Sequence, residues 1–475
     1  MSNTTLFGTD GIRSVANEEP LTPETLVRIG SVLGWMAVEF PGSFAYPHGQ
    51  EIPEELDVEE IENIRPRVVT VRDPRKSGDM IEAALEAGLT ASGADVISCG
   101  LLPTPAASYL TRLYGANLGI SISASHNPPE YNGIKLFTPS GHKISAHLEE
   151  KIEQLVNNEH PYPPVPVQGN RIGQVTFKEE EAKDQYIDFL LEVVDGVDLS
   201  NFNVVVDAGH GAGGAVAERL FDQLGCETTV LSGEPDGERI NQSAGTSDLT
   251  NLTQTVEEKG ADLGIALDGD ADRVQLIDET GTERDGDAIL AALASYMHDN
   301  GTLSGDTVVG TVMTNEGLAA FLKDRDIDLK RPQVGDRNIA NELYENDWSL
   351  GGEQSGHVIL YDRSPTGDGL QTALEVLRLM AETGNTASEL LSQYHRFPQI
   401  LRNVTVSEKP PLEELDQVNE CVDQWEKTLQ NTGRVLIRYS GTEPVCRVMV
   451  EGEDEKLISE AAEEIARSVR ETLPE

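Results

Sequence analysis

Three stretches of the chain share one pattern, in which a strand rich in β-branched residues leads through a turn of small or polar residues into an amphipathic helix. They are RVVTVRDPRKSGDMIEAALEAGL (67–89), NVVVDAGHGAGGAVAERLFDQLG (203–225) and TVVGTVMTNEGLAAFLKDRD (307–326). In the first stretch, Met80, Ala83, Ala84, Leu85 and Leu89 recur at helical spacing, and another strand follows closely. This alternation is typical of βαβ units and predicts three α/β domains.

The C-terminal part of the chain has a different pattern. Three strand-like stretches, LRNVTVSEK (401–409), GRVLIRYSG (433–441) and CRVMVEGED (446–454), precede a helix over 454–473. One face of that helix is apolar and consists of Ile458, Ala461, Ala462, Ile465, Val469 and Leu473. We therefore expect an α+β domain at the C-terminus.

A chain of 475 residues is too long for one hydrophobic core. Polar, proline-rich breaks at 157–170 and 395–400 mark two boundaries, and a third lies near residue 282. The predicted domains are 1–160, 161–282, 283–397 and 398–475. Residues 40–63 lack any periodicity and are predicted to form a surface insertion in the first domain.

The charge balance restricts the possible partners and the location. The chain has 82 acidic and 36 basic residues, a net charge of −46, which repels nucleic acid and anionic membranes. No stretch is long and apolar enough to cross a bilayer, and the N-terminus lacks the order of a signal peptide. Four cysteines without metal-type spacing favour reduced thiols. We expect a cytoplasmic protein that binds neither nucleic acid nor membranes.

An apolar strand ends in LDGDADR, which places Asp268, Asp270 and Asp272 at alternating positions. Three converging carboxylates repel one another unless a cation joins them, and oxygen-only ligation suits Mg²⁺. An EF-hand would use similar carboxylates, but Arg273 occupies the position where that loop needs glycine, and VQLID continues as a strand beyond it. A phosphatase of the aspartyl-phosphate type and a simple solvated acidic turn also remain open on this pattern.

The stretch GISISASHNPPEYNGIKLF (119–137) places Ser125 and His126 at the end of a strand, before two prolines. The pattern suggests a reactive serine, although a turn serine beside a structural histidine is the alternative. A Ser–His hydrolase is disfavoured, because neighbouring residues at a strand end point in different directions and no G-x-S-x-G occurs.

Two further loops carry groups that suit a sugar phosphate. SLGGEQSGH offers acceptors and donors for sugar hydroxyls within one turn, from Glu353, Ser355 and His357. RVLIRYSGTEPVCRVMV combines hydroxyls, backbone N–H groups and two guanidinium groups, which a phosphate dianion requires. Its candidate residues are Arg438, Ser440, Gly441, Thr442 and Arg447. A glycine-rich turn and an ordinary hairpin are the respective alternatives.

One motif points to another class of protein. Gly209, Gly211 and Gly214 form a G-x-G-x-x-G between a strand and a helix, as in dinucleotide-dependent oxidoreductases. No convincing carboxylate follows the next strand, so we interpret these glycines as tight strand-to-helix packing.

Together the loops SASHNP, DGDADR, GGEQSGH and RYSGTEP resemble, in this order, those of the α-D-phosphohexomutase superfamily. The resemblance spans nearly the whole chain apart from 40–63. LFGTDGIRSVAN, GEQSGH and VGDR are most similar to the phosphoglucosamine mutase branch, with the phosphomannomutase/phosphoglucomutase branch as the alternative. It implies an α/β fold of four domains around a central cleft, three related mixed α/β sandwich domains plus a C-terminal α+β domain. Ser14 and His210 depart from the common pattern.

The resemblance also implies roles for the site residues. Ser125 would carry the phosphoryl group, and Asp268, Asp270 and Asp272 would hold Mg²⁺ with the phosphoserine as a further ligand. Lys135 would act as general acid/base, His126 would orient the serine, and Arg13 and Arg273 would add positive charge. Glu353 and Ser355 would face sugar hydroxyls. The phosphate that is not transferred would be clamped by Arg438, Ser440, Gly441, Thr442 and Arg447.

The expected reaction interconverts a hexose or hexosamine 6-phosphate and its 1-phosphate, through a hexose 1,6-bisphosphate that also serves as activator. Glucosamine phosphate is the first choice of substrate. A non-catalytic sugar-phosphate binding protein is the remote alternative, and three aspartates beside a candidate nucleophile argue against it. The enzyme is expected to be a monomer or homodimer.

The net charge generates a prediction about salt. We expect the folded state to require concentrated salt, because salt screens the repulsion among surplus surface carboxylates. Circular dichroism during dialysis from molar salt to dilute buffer should show loss of structure. Full stability in dilute buffer would contradict the idea.

Overall fold

The computed structural model describes residues 5–8, 10–39, 44, 65–157, 166–440 and 444–473. The chain divides into two compact units, Met1–Val312 with Lys330–Leu391, and Met313–Leu329 with Ser392–Glu475. Of the predicted insertion at 40–63, all but Phe44 lies outside the described residues, and Phe44 is buried in the first core. None of the described helices is long and apolar enough to span a membrane.

The first sheet belongs to the first unit and contains seven strands. Its strands are β1 (Phe7–Gly8), β2 (Gly11–Val15), β3 (Arg67–Arg72), β4 (Asp95–Leu101), β5 (Leu118–Ile122), β6 (Tyr131–Phe137) and β7 (Val175–Phe177), in the order β1-β2-β6-β5-β3-β4-β7. The helices of this region are α1 (Pro23–Glu39), α2 (Gly78–Ala91), α3 (Thr104–Leu113) and α4 (Ala146–Val156). Strands β3, β4 and β5 run parallel and are buried, as their continuous apolar sequences predict.

The first βαβ prediction is confirmed. Leu85 and Leu89 of α2 are fully buried and Met80 packs at the edge of the core, but Ala83 is exposed. Ala83 lies on the face opposite Ile81 and Leu85, so helical spacing of apolar residues does not by itself identify the buried face. Strand β7, beyond the predicted boundary at 160, pairs with β4 in the first sheet.

The second sheet contains the strand of the second predicted strand–helix stretch, 203–225. Its strands are β8 (Asn203–Asp207), β9 (Glu227–Leu231), β10 (Leu263–Leu267), β11 (Val274–Asp278) and β12 (Glu283–Arg284), in the order β12-β11-β10-β8-β9. The helices over this part of the chain are α5 (Glu179–Leu191), α6 (Gly214–Leu224), α7 (Thr250–Lys259) and α8 (Gly286–Asp299). Strand β8 runs parallel to β9 and β10, and β10 forms an antiparallel hairpin with β11.

The third region is split between the two units. Its elements are β13 (Thr307–Val309), α9 (Glu316–Lys323), β14 (Asp328–Lys330), α10 (Asp336–Asn346), β15 (Leu350–Gly352), β16 (Val358–Leu360), α11 (Gly369–Thr383) and α12 (Ala387–Leu391). Strand β15 pairs with β13 in parallel and with β16 in an antiparallel hairpin. The third predicted strand–helix stretch is divided, because its strand β13 lies in the first compact unit and its helix α9 in the second.

The second unit contains β17 (Gln399–Thr405), α13 (Asp416–Leu429), β18 (Gly433–Tyr439), β19 (Val445–Gly452) and α14 (Glu455–Thr472). The three strands form an antiparallel sheet with β19 in the centre. The predicted apolar face of α14 is buried along its whole length. Asn315 ties the start of α9 to this unit through hydrogen bonds of 3.1 Å and 2.9 Å with the backbone of Phe397.

Candidate active site

Three hairpin loops of the first unit bring the predicted site residues together. The loop between β5 and β6, here called the serine loop, carries Ser125, and the loop between β10 and β11, the aspartate loop, carries the three aspartates. The loop between β15 and β16, the sugar loop, carries Glu353. Antiparallel hairpins project their turns beyond the edge of a sheet, so side chains distant in sequence can meet there.

Ser125 has a left-handed backbone conformation, with φ of 51°. Its amide donates to Ser123 Oγ at 2.8 Å, and its side chain is buried. Ser125 Oγ donates to Asp268 Oδ2 at 2.6 Å across 143 residues of sequence. A non-glycine residue in this conformation costs free energy and is held only where the surroundings enforce it. The predicted serine and the first aspartate are thus in direct contact.

The three aspartates form a buried cluster that fits a metal ion. Asp268, Asp270 and Asp272 are at most 4% exposed, and one oxygen of each lies within 4.8 Å of the others. Asp270 Oδ1 and Asp272 Oδ1 are buried and have no hydrogen-bond donor within the described part of the chain. Burial, and then the charges of Asp272 and Asp270, raise the pKa of Asp268 well above its usual range. A divalent cation would supply the positive charge and the missing partners.

Lys135 lies on β6 and supplies a cation to this cluster. Its Nζ is 2.9 Å from Asp270 Oδ2, 2.8 Å from Asp272 Oδ2 and 3.7 Å from Asp10 Oδ2. Burial opposes the charged form of Lys135, but Asp10, Asp270 and Asp272 outweigh it and raise its pKa well above the usual value. Burial likewise opposes ionisation of Asp272, but Lys135 lowers the pKa of Asp272 well below its usual range. Lys135 is therefore an ammonium group in this state.

His126 lies beside Ser125 at the exposed rim of the loop. Its Nδ1 is 3.4 Å from Ser125 Oγ and 3.2 Å from Arg273 Nη1. Partial desolvation of the ring, and then the charges of Arg273 and Arg13, lower the pKa of His126 to about 4. The imidazole is therefore neutral at physiological pH. Arg13 donates to Asn127 Oδ1 at 3.2 Å, so both predicted arginines border the serine loop.

The residues of the sugar loop contact Gly335 and Asp336, at the start of α10. Glu353 accepts from the amide of Gly335 at 3.1 Å and from Ser355 Oγ at 3.2 Å. His357 is 2% exposed and lies between Asp272 and Asp336, at 3.9 Å and 3.8 Å. Burial opposes its charge, but Asp272 and the other nearby carboxylates outweigh burial and raise the pKa of His357. His357 is thus buried between the carboxylates of Asp272 and Asp336.

Sequence reasoning missed several charged and polar residues of the site. Lys143 pairs with both Asp10 and Asp336, and Thr104 Oγ1 donates to Asp270 Oδ2 at 2.6 Å. Asp10 and Asp336 belong to the stretches DGIR and VGDR, which the resemblance included without assigning them roles. Lys143 and Thr104 have no distinguishing local pattern. Arg337, also in VGDR, pairs with Glu149.

The fourth loop lies in the second unit. Arg438 and Arg447 are directly opposite each other on β18 and β19, and the amide of Ser440 donates to Val445 O at 2.9 Å. The two arginines predicted to bind phosphate therefore form a directly opposed pair on neighbouring strands. Gly441 and Thr442 lie outside the described residues.

The G-x-G-x-x-G motif packs against the aspartate loop. The amide of Ala212 donates to Gly269 O at 2.8 Å, and a Cβ at Gly211 would lie 2.4 Å from the same oxygen. Because this amide already has an acceptor, it is not free to bind a pyrophosphate. The interpretation as tight packing is supported. His210 has φ of 53° and contacts Glu234 O at 3.2 Å, which gives it a role in the turn.

The structure also decides the EF-hand question and accounts for Ser14. Residues 274–278 are strand β11, and Glu279, which falls at the twelfth position of an EF-hand loop starting at Asp268, accepts instead from the amide of Ser388 at 2.9 Å. An EF-hand is therefore wrong, since a helix would have to follow its loop. Ser14, the second departure from the family pattern, donates through Oγ to Glu19 O at 3.1 Å and has a local structural role.

Family models match this chain in four consecutive parts. They are described as phosphoglucomutase/phosphomannomutase, alpha/beta/alpha domain I (residues 4–163), domain II (184–281), domain III (285–397) and C-terminal domain (401–468). With the site geometry, these matches define the class as a phosphohexomutase, an isomerase that repositions a phosphoryl group on a sugar.

The chain belongs to the phosphoglucomutase/phosphomannomutase family. It is 43% identical to the phosphoglucosamine mutase of Thermoanaerobacter sp. (strain X514) over 471 residues, which is 98% of this chain and 99% of the relative. The predicted superfamily is confirmed, and so is the four-domain fold with mixed α/β domains followed by a C-terminal domain.

Solved structures share the fold. A phosphoglucomutase/phosphomannomutase family protein from Burkholderia thailandensis superposes with a TM-score of 0.78 at 24% identity, covering 100% of this chain and 98% of that one. N-acetylphosphoglucosamine mutase of Aspergillus fumigatus, solved with GlcNAc-6P and magnesium, gives a TM-score of 0.58 at 19% identity, covering 82% and 94%.

The aspartate cluster generates a prediction about metal binding. Mg²⁺ should raise the unfolding temperature of the wild-type protein, because it binds the folded state only. Asp270→Asn should greatly reduce this shift and mutase activity, because it removes one of the charges that attract the ion.

Thermal unfolding with and without Mg²⁺, after treatment with a chelator, provides the measurement. Glu283→Gln removes an exposed carboxylate on β12 and is the matched control. An Asp270→Asn variant with the wild-type shift would remove the aspartates from the metal site.

Proposed function

We propose that the protein interconverts glucosamine 6-phosphate and glucosamine 1-phosphate in the cytoplasm, through a phosphoserine at Ser125 and glucosamine 1,6-bisphosphate. The observation that carries the proposal is the hydrogen bond from Ser125 Oγ to Asp268, within a cluster of three buried aspartates that fits a metal ion. The choice of glucosamine rests on full-length similarity to relatives named phosphoglucosamine mutase.

In the first half of the proposed reaction, the bond from phosphorus to Ser125 Oγ breaks and a bond forms to the free hydroxyl of the sugar. The hydroxyl gives up its proton and Ser125 Oγ regains one. The bisphosphate then reorients, and its other phosphoryl group passes to Ser125. Phosphoryl transfer of this kind requires alignment and charge neutralisation more than covalent participation by the protein.

Lys135 is the proposed general acid that protonates the sugar oxygen in the second half of the reaction, and its ammonium group is the proposed electrostatic partner of the sugar hydroxyl in the first half, in which the hydroxyl proton ends on Ser125 Oγ. Its contacts with Asp10, Asp270 and Asp272 favour the ammonium form. That form can protonate the sugar oxygen when its phosphoryl group moves to Ser125. His126 is neutral and adds no charge beside the serine, so Arg273 and Arg13 are the cations proposed to act at this rim.

Asp268, Asp270 and Asp272 would hold Mg²⁺, with a phosphoryl oxygen on Ser125 as a further ligand. When bound, the ion neutralises negative charge on the phosphoryl group in transfer. The oxygen-only donor set supports magnesium. The related Aspergillus fumigatus enzyme was solved with GlcNAc-6P and magnesium.

The remaining contacts are assigned to the two ends of the substrate. Glu353 and Ser355 are proposed to bind sugar hydroxyls, and His357 to hold Asp272 in place. The phosphate that is not transferred is assigned to the fourth loop, whose residues are Arg438, Ser440, Gly441, Thr442 and Arg447. The facing pair Arg438 and Arg447 supports that assignment.

A prediction follows for Ser125. The purified protein should carry one phosphoryl group, and peptide mass spectrometry should place it on Ser125. Ser125→Ala should lose at least about 1,000-fold in turnover, because the proposed route passes every phosphoryl group through this oxygen. Ser31→Ala, on α1, is the control. Full turnover by Ser125→Ala would eliminate the mechanism.

The choice of sugar is tested separately. Initial rates with the 6-phosphates of glucosamine, glucose and mannose, each with its own bisphosphate as activator, should favour glucosamine in kcat/KM. A preference for glucose or mannose would assign the chain to the phosphoglucomutase/phosphomannomutase branch. No turnover with any of them, together with tight binding, would favour a binding protein.

A further inference from the structure

The largest fully buried side chain among the described residues is that of Arg75. It lies in the turn between β3 and α2, within the stretch DPRKSGD. Its Nε pairs with Asp73 Oδ2 at 2.9 Å, and both side chains are inaccessible to solvent. Burying a guanidinium is unfavourable unless its donors are satisfied, so its remaining contacts explain why it is there.

Those remaining side-chain contacts go to the serine loop. Nη2 of Arg75 donates to Ser125 O at 2.9 Å and to Asn127 O at 2.7 Å. Nη1 donates to Tyr131 O at 2.9 Å and also to Pro128 O. One planar, charged group thus binds three carbonyl oxygens of the loop and a fourth at Tyr131, the first residue of β6. Lysine could not reproduce this, because its donors radiate from one nitrogen.

Asn241 binds the same loop from the second sheet's region, between β9 and α7. Its Nδ2 donates to Ser125 O at 2.8 Å and to Asn127 O at 3.2 Å, so it shares two acceptors with Arg75. The backbone of Asn241 is itself fixed, because its amide donates to Gly209 O at 2.9 Å.

The backbone of Ser125 is therefore held on both sides. Its carbonyl accepts from Arg75 and Asn241, and its amide donates to Ser123 Oγ, which in turn donates to Asp73 Oδ2 at 2.6 Å. Asp73 pairs with Arg75, which closes the network. Such support suits a residue with a positive φ, since an unsupported loop would relax to a commoner conformation.

The aspartate loop contacts the same carbonyl. A Cβ at Gly269 would lie 2.7 Å from Ser125 O and 2.8 Å from Asn241 Nδ2. Any larger residue at 269 would separate the two loops. The network that fixes the serine therefore also sets its distance from the aspartates.

We propose that Arg75 and Asn241 are positioning residues, which hold the Ser125 backbone so that its side chain faces the aspartates in the geometry required for transfer. The inference rests on the proposed function of Ser125 as phosphoryl carrier. Neither residue touches the sugar in this account, so both act on turnover and not on substrate affinity.

The test uses the full-length protein with Arg75→Lys, Asn241→Ala and the double variant. Arg284→Ala is the control, because it removes an arginine paired with the buried Asp278 at 2.7 Å without touching the serine loop. Measurements are kcat, KM, the phosphorylated fraction of Ser125, and the unfolding temperature with and without Mg²⁺.

Each single variant should lose about 100-fold in kcat with KM changed less than about threefold, as expected when a reacting group is displaced by about 1 Å. The fold-loss in kcat of the double variant should be far smaller than the product of the two single fold-losses, because both residues bind the same two carbonyl oxygens. Arg284→Ala should keep wild-type kcat per folded molecule. All variants should retain the Mg²⁺ shift.

Two results would overturn the proposal. One is a wild-type kcat per folded molecule in both single variants. The second is a rise in KM at unchanged kcat, which would make the residues substrate contacts. Should Arg75→Lys fail to fold, Asn241→Ala alone decides. An inactive, unphosphorylated wild-type protein would instead reject the proposed function itself, so the two failures are distinguishable.

Discussion

The site is dominated by the repulsion among three carboxylates buried within a few ångströms of one another. Burial removes the water that would screen them, so their charges act on every neighbour. Burial, and then the charges of Asp272 and Asp270, raise the pKa of Asp268. Asp10 together with Asp270 and Asp272 overcomes burial and keeps Lys135 in the ammonium form, and Asp272 with other nearby carboxylates raises the pKa of His357. The chain has more than twice as many acidic as basic residues, yet it places several of its few cations here.

Local pattern was sufficient to predict three strand–turn–helix stretches, the C-terminal strands with helix α14, and the four loops that carry the candidate site residues. The reason is that strand alternation, turn residues and carboxylate spacing are properties of a few consecutive residues. Prediction failed where burial depends on a partner. Ala83 shares the helical spacing of the apolar residues of α2 but is exposed, and α9 belongs to a different unit from the strand before it.

The same limit explains what was missed in the site. The ion pairs of Lys143 join residues separated by 133 and 193 positions, and no local feature of the sequence distinguishes Lys143 from a surface lysine. No local feature of the sequence identifies Arg75 or Asn241 either, because their acceptors are backbone carbonyls that every residue possesses. Nucleophiles and candidate ligands have recognisable chemistry, whereas the groups that hold them in place do not.

The division of the chain into two units has a consequence for biosynthesis. Residues 313–329 leave the ribosome before Phe397 and Glu451, to which Asn315 and Glu316 are hydrogen-bonded in the second unit. Domains generally fold as units during synthesis. The hydrogen bonds of this segment with the second unit therefore cannot all form until translation is almost finished. A nascent chain that stops before the last strand would have a complete serine and aspartate cluster but an α9 segment without its partner Glu451.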